Sequence, residues 1–151
     1  GIEISHGWEQ NILQAIKVRD IMSDEVVTIL ESTQLVDIIN RLKTKDASYL
    51  HVVSENNELV GIISFRDIRP VLQEETLKRL VIARDVATTD LTTIRPSDNV
   101  QLALQEMGSR GIAQLPVVEE DDSRKVIGTL SKKDVLAAYD RAVFQREIEG
   151  Y

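Results

Sequence analysis

Apolar and polar positions along the chain change period several times, and the changes predict a series of short elements. Val26 to Ile29 is β-branched and bounded by polar residues, which predicts a strand. Leu35, Ile38, Ile39 and Leu42 then recur at helical spacing, with Ser32 or Thr33 placed to cap the start. Leu50 to Val53 and Leu59 to Ser64 read as two strands. They are joined by the polar turn Glu55-Asn56-Asn57-Glu58. Ile68, Val71 and Leu72 continue as a helix with Pro70 near its first turn.

The same order returns further along. Leu91 to Ile94 predicts a strand, and Val100, Ala103, Leu104 and Met107 mark a helix that ends by Gly108 or Gly111. Leu115 to Val118 and Val126 to Leu130 predict a hairpin. Val135, Leu136, Tyr139, Val143 and Phe144 mark a long final helix. Ahead of both series, Trp8, Ile12, Ala15 and Ile16 fit one face of a short helix.

The two series are copies. Val18-Arg19-Asp20-Ile21-Met22 returns 65 residues later as Ala83-Arg84-Asp85-Val86-Ala87, and Thr28-Ile29 returns as Thr93-Ile94. Beyond the acidic stretch Glu119-Glu120-Asp121-Asp122 the offset becomes 67. It carries Gly61, Ser64 and Asp67 onto Gly128, Ser131 and Asp134. A register broken only at a polar loop indicates a duplicated β-α-β-β-α unit. The expected organisation is a linker and helix over 1–17, one repeat over 18–80, a second over 81–147 and a tail over 148–151. Units this small bury little surface alone. An α/β (α+β) domain with pseudo-twofold symmetry is expected, with two equivalent clefts where the copies meet.

Composition narrows the function classes. The 151 residues hold 42% apolar residues but only six aromatic ones, so the core is expected to be Ile, Leu and Val. The absence of cysteine excludes disulfides, thiolate metal sites and a cysteine nucleophile. A net charge of −7 argues against nucleic acid as a partner. No run approaches the roughly 20 apolar residues of a membrane helix, and no secretory signal is visible. A start at Gly1 without methionine fits a segment excised from a longer protein. Phosphate-loop and dinucleotide glycine fingerprints are missing, and His6 and His51 stand in unrelated settings, so no enzyme is expected. The acidic stretch 119–122 reads as a solvated turn rather than a cation site.

The repeated Ser-x-x-Asp turn carries the chemistry. As structure it is a helix cap, with Ser64 or Ser131 at the N-cap and Asp67 or Asp134 serving backbone N–H groups. As a site it offers free N–H groups and a hydroxyl to phosphate, and a carboxylate to the two hydroxyls of a ribose. The two readings are compatible.

Taken together, Val18-Arg19-Asp20-Ile21-Met22, Leu115-Pro116-Val117-Val118 and the two Gly-x-x-Ser-x-x-Asp turns resemble a tandem pair of CBS domains. This regulatory module is named after cystathionine β-synthase. The resemblance spans about residues 18–144 and implies two β-α-β-β-α units packed through their sheets. It implies an adenine nucleotide (ATP, ADP or AMP) as regulatory ligand, with no cofactor required, and a homodimer as assembly. One implied site joins Thr28, Ala47, Ser48, Ser131 and Asp134; the other joins Thr93, Ile112, Ala113, Ser64 and Asp67. His51 departs from the pattern, standing where the family usually has proline, as at Pro116.

A narrower resemblance lies at the ends. Gly1-Ile2-Glu3-Ile4 through Asn11-Ile12-Leu13 looks like the linker after the membrane part of bacterial chloride channels and transporters of the CLC type. Leu136-Ala137-Ala138-Tyr139-Asp140-Arg141-Ala142 looks like the end of the CBS pair in those proteins. This implies a regulatory domain on the cytoplasmic face of the membrane, coupled to a membrane domain of the parent protein.

Overall fold

A computed structural model describes residues 11–44 and 48–150. The chain divides into two compact units. Among the described residues, one gathers 11–25, Thr92–Ser123 and 127–150. The other holds Val26–Leu91 with Arg124–Val126.

The second of these contains β1 (Thr28–Leu30), α3 (Leu35–Thr44), β2 (Tyr49–Val53), β3 (Leu59–Ser64), α4 (Phe65–Ile68), α5 (Glu75–Leu80) and α6 (Ala83–Val86). The first contains helical residues 11–15 (α1), α2 (Val18–Ile21), α7 (Val100–Arg110), β4 (Gln114–Glu119), most of β5 (Asp122–Ser131) and α8 (Lys132–Glu149).

In the unit of residues 26–91, β1 runs parallel to β2, with Thr28 beside His51, and β2 runs antiparallel to β3, with Tyr49 beside Ser64. Alternation along β3 buries Leu59, Gly61 and Ile63. Leu50, Val52 and Ile63 from the sheet pack on Leu35 and Ile38 of α3, on Ile68 of α4 and on Ala83 of α6. The spacing of Leu35 and Ile38 thus gives α3 its core face, as its sequence predicts. Neither Ser32 nor Thr33 caps this helix: the N–H of Leu35 donates to the Val81 carbonyl at 2.9 Å. The hairpin turn closes through Asn57, whose φ of 61° suits asparagine, and Asn57 N–H donates to the Ser54 carbonyl at 2.9 Å.

Pro70 interrupts what the apolar spacing reads as one helix. α4 stops at Ile68, Arg69–Val71 forms a single 3₁₀ turn containing the proline, and helix resumes at Glu75. Proline has no N–H for the helical ladder and its ring clashes with the preceding turn. The second copy has Ala137 at the equivalent place, and α8 runs unbroken for 18 residues. On α8, Val135 and Ala138 are buried, but Leu136 and Phe144 of the expected stripe are exposed.

The other unit buries Val18, Ile94, Val100, Ala103, Met107, Leu115, Val117, Leu130 and Val135. Leu13 and Ile16 of the N-terminal segment pack against this core, while Ala15 is exposed; Trp8 lies outside the described residues. α7 starts at Asn99, whose side chain accepts the Leu102 N–H at 2.9 Å. It ends at Gly111, where φ is 64°.

The strand expected at Leu91–Ile94 is reduced to one parallel bridge, Ile94 beside Val117. The reason lies in its partner. In the first copy His51 N–H donates to the Val27 carbonyl at 2.8 Å. The equivalent position in the second copy is Pro116, which has no N–H to give. Ile94 still donates to the Pro116 carbonyl at 3.1 Å and accepts from Val118 at 2.9 Å, so one rung survives.

The compact units are offset from the sequence repeats. α2, which opens the first repeat, contributes Val18 to the core of the second copy. α6, which opens the second repeat, contributes Ala83 to the core of the first.

Candidate functional site

Both implied sites draw residues from both units, so each half is described within its own unit. In the unit of residues 26–91, β3 delivers Ser64 to the start of α4. Asp67 reaches back, its Oδ2 accepting the Ser64 N–H at 2.8 Å and the Ser64 hydroxyl at 3.2 Å. The capping function is therefore present at this turn. Thr88, just after α6, donates its hydroxyl to Asp67 Oδ1 at 3.0 Å. The main chains of Thr88 and Ile62 exchange two hydrogen bonds of 2.9 Å, which places that hydroxyl beside the turn.

Ser48 precedes Tyr49, the strand partner of Ser64, and so lies at the same end of the sheet as the turn. Ala47 lies outside the described residues. Thr28 is on edge strand β1, exposed, and lines a different feature. This is a groove of about 600 Å³ between β1 and α3, also bordered by Thr33, Asp37, Asn40, Arg41 and Thr44.

In the other unit, β5 delivers Ser131 to the N-terminus of α8, and Ser131 Oγ accepts the Asp134 N–H at 3.1 Å. Ile112 and Ala113 stand beside this turn, because Lys132 N–H donates to the Ala113 carbonyl at 2.8 Å. Ile112, Ala113 and Lys132 line a cavity of about 300 Å³ with Leu104, Met107 and Gly108. Thr93 is half-buried immediately before the Ile94 bridge. Ser48 in the first copy, and Ile112 and Ala113 in the second, thus lie by their own copy's Ser-x-x-Asp turn, whereas Thr28 lines a separate groove.

Both turns depend on close backbone approach. A Cβ on Gly61 would stand 2.8 Å from the Cβ of Ala87, and one on Gly128 would stand 2.5 Å from the Ser23 carbonyl oxygen. The duplicated glycine is therefore a packing requirement of the strand beneath each turn.

Two other groups have perturbed electrostatics. His51 is 2% exposed and neither ring nitrogen has a hydrogen-bond partner. Burial pushes its imidazole below the usual histidine range. The Val27 carbonyl offsets this only in part, and it already accepts the His51 N–H. Glu120 accepts the Ser97 hydroxyl and N–H, each at 2.7 Å, and lies 3.8 Å from Arg19. These hold its carboxylate below the usual range, the Ser97 hydroxyl most of all. Within the acidic stretch Glu120 therefore serves to tie the hairpin to the start of the α7 segment.

These turns and strands can now be placed among known proteins. The CBS domain family matches residues 18–74 and again residues 83–141. The chain is a member of the CBS domain family. Among curated relatives it is 30% identical over 118 residues to L-aspartate semialdehyde sulfurtransferase of Methanosarcina acetivorans, covering 78% of this chain and 23% of that protein. It is 30% identical over 125 residues to inosine-5'-monophosphate dehydrogenase of Methanocaldococcus jannaschii, covering 82% and 24%. The chain thus spans about a quarter of the length of these relatives. Among solved structures it is similar to a CBS domain pair in complex with 5-methylthioadenosine and S-adenosyl-L-methionine. The TM-score is 0.71 at 25% identity, covering 83% of this chain and 97% of that one. The CBS domain of a bacterial CNNM/CorC family Mg2+ transporter in complex with ATP shares the fold, with a TM-score of 0.75 at 22% identity over 93% and 98% of the two chains. The mixed α/β CBS-pair fold expected from the repeat is the fold observed.

Sequence reasoning passed over Thr88 and Lys132. Thr88 carried a signal: Ser23, at the same offset of 65 residues, is also a hydroxyl residue directly after an Arg-Asp motif. Lys132 occupies the position of Phe65 in the first copy, and only the cavity it borders draws attention to it.

Proposed function

We propose that this CBS pair is a regulatory module that binds an adenine nucleotide (ATP, ADP or AMP) at its Ser-x-x-Asp turns. Ligand binding would bias the arrangement of a larger parent protein. The carrying observation is the Asp134 turn. Lys132, the first residue of an 18-residue helix, borders a cavity walled by Ile112 and Ala113, and Asp134 stands in the same first turn of that helix. The carboxylate suits a ribose diol, the helix N-terminus and ammonium suit phosphate, and the apolar wall suits a purine. Thr28, Ser48, Ser64, Asp67, Thr93 and Ala47 are the remaining residues that the resemblance assigns to the two sites. Similar CBS pairs have been solved with ATP and with S-adenosyl-L-methionine, which supports the ligand class. For regulation to follow, the nucleotide must bind one arrangement of the module better than another.

The parent is proposed to be a membrane transporter, with the module on its cytoplasmic face. The end segments favour a CLC-type chloride channel or transporter. The Mg2+ transporter neighbours and the enzyme relatives favour another parent for the same module. No helix among the described residues is long and apolar enough to cross a membrane.

Calorimetric titration of the purified chain with ATP, ADP and AMP tests the reading. Saturable binding supports it. Absence of heat and of any thermal shift at millimolar nucleotide, in a folded sample free of carried-over ligand, sinks it. A second reading, a module whose role is to form a homodimer, is favoured by the exposed Leu136, Phe144 and Ile148 on α8. Light scattering that shows a dimer lost in Phe144→Glu, with no nucleotide bound, would make that reading the better one.

A further inference from the structure

The two Ser-x-x-Asp turns match in sequence and differ in state. At the first, Asp67 accepts three hydrogen bonds: Ser64 N–H and Ser64 hydroxyl on Oδ2, and Thr88 hydroxyl on Oδ1. A carboxylate offers about four acceptor positions, so roughly one remains where a ribose diol brings two hydroxyls. At the second, the Asp134 carboxylate accepts no hydrogen bond from any described residue; only the backbone N–H of Asp134 is engaged, by Ser131 Oγ.

Two of the three bonds come from Ser64, whose counterpart Ser131 gives Asp134 neither, and the third comes from a hydroxyl outside the turn. Ser23 is the counterpart of Thr88: it pairs with Thr129 as Thr88 pairs with Ile62. Its hydroxyl makes no hydrogen bond to Asp134 and accepts the Glu25 N–H at 3.2 Å. Two further features follow the same division. The Asp67 turn opens a helix of four residues that ends before Pro70, whereas the Asp134 turn opens one of 18. The residue after the serine is Phe65 at the first turn, its ring covered by the Arg69 guanidinium at 5.6 Å. At the second it is Lys132, bordering the cavity.

Resting on the nucleotide reading above, we propose that this chain is a one-site sensor. Asp134 takes the ribose of the nucleotide, and Thr88 latches Asp67 into a closed cap that excludes a second ligand. Copying has preserved the sequence of both turns; Ser64 occupies one carboxylate oxygen of Asp67, and the Thr88 hydroxyl takes the other and so closes the first turn.

The test is calorimetric titration of the intact chain with ATP, read as stoichiometry. One nucleotide per chain is expected. Asp134→Asn should weaken that binding at least tenfold, Thr88→Val should bring a second equivalent, and Thr88→Ser, which keeps the hydroxyl, should stay at one. Should Thr88→Val not fold, by circular dichroism, Thr88→Ala takes its place. Two nucleotides on the unaltered chain, full binding by Asp134→Asn, or a valine variant that stays at one each overturns the latch and leaves the nucleotide reading standing. No binding by any of the folded proteins overturns both.

Discussion

At the scale of single residues, His51 and the paired glycines make the sharpest claims. His51 sits buried with both ring nitrogens unsatisfied, so its neutral form is favoured in the folded state. The unfolded chain then binds the proton more readily, and stability rises with pH through this group. Its contribution is fully present above the ordinary histidine value of about 6.5 and is lost as pH falls from there toward the lowered folded value. The melting temperature of the chain should therefore drop between pH 7.5 and 5.5. His51→Leu should flatten that part of the profile and be neutral or stabilising by about 1 kcal/mol at neutral pH, since the polar atoms it removes make no hydrogen bonds. A profile unchanged by the substitution would show that His51 is not the responsible group. Gly128→Ala forces a methyl to within 2.5 Å of both a backbone carbonyl oxygen and the Met22 side chain. A loss of about 1–3 kcal/mol is expected in urea denaturation. The sequence displayed the glycines as a motif, but their reason, the close approach of the segment after α2 or α6, belongs to contacts between distant residues.

At the scale of elements, the two copies show how a single imino acid changes a shared plan. Pro70 divides a helix whose counterpart α8 is continuous, and Pro116 removes the donor that makes β1 a strand in the other copy. Both prolines are plain in the sequence. Apolar periodicity overrode them in reading one helix through Pro70 and a strand at Leu91–Ile94, because periodicity records burial and not the backbone ladder. The ends of α7 rest on local chemistry. Gly111→Ala places a Cβ at a φ of 64° and should cost about 1 kcal/mol, measured as a fall in chemical denaturation midpoint at constant m-value. Asn99→Ala removes the acceptor of the Leu102 N–H and should cost a similar amount, about 1 kcal/mol.

At the scale of the whole molecule, the units that pack are shifted by one short helix from the units that repeat. Residues 26–91 contain α6 and hence Ala83, which is fully buried in that unit's core; residues 18–80 contain α2 instead and lack it. A peptide of residues 26–91 should therefore show a more cooperative thermal transition than one of residues 18–80, although both are small enough to be marginal. Equal or reversed stabilities would show that α6 contributes little to that core. The N-terminal segment belongs with the second copy for the same reason: Val18 is buried there, with Leu13 and Ile16 against it.

What the sequence determined by itself was whatever depends on neighbours along the chain: the duplication, the apolar faces of α3 and α7, the hairpins, the capping turns and the family. What only the tertiary structure decided depends on partners far apart in number. These are which copy each opening helix completes, and that Thr88 meets Asp67 while Ser23 leaves Asp134 free. A hydroxyl near the end of a short helix has several local acceptors of similar strength. Which one it takes is settled by the packing that positions it, and no pattern of residue types records that choice.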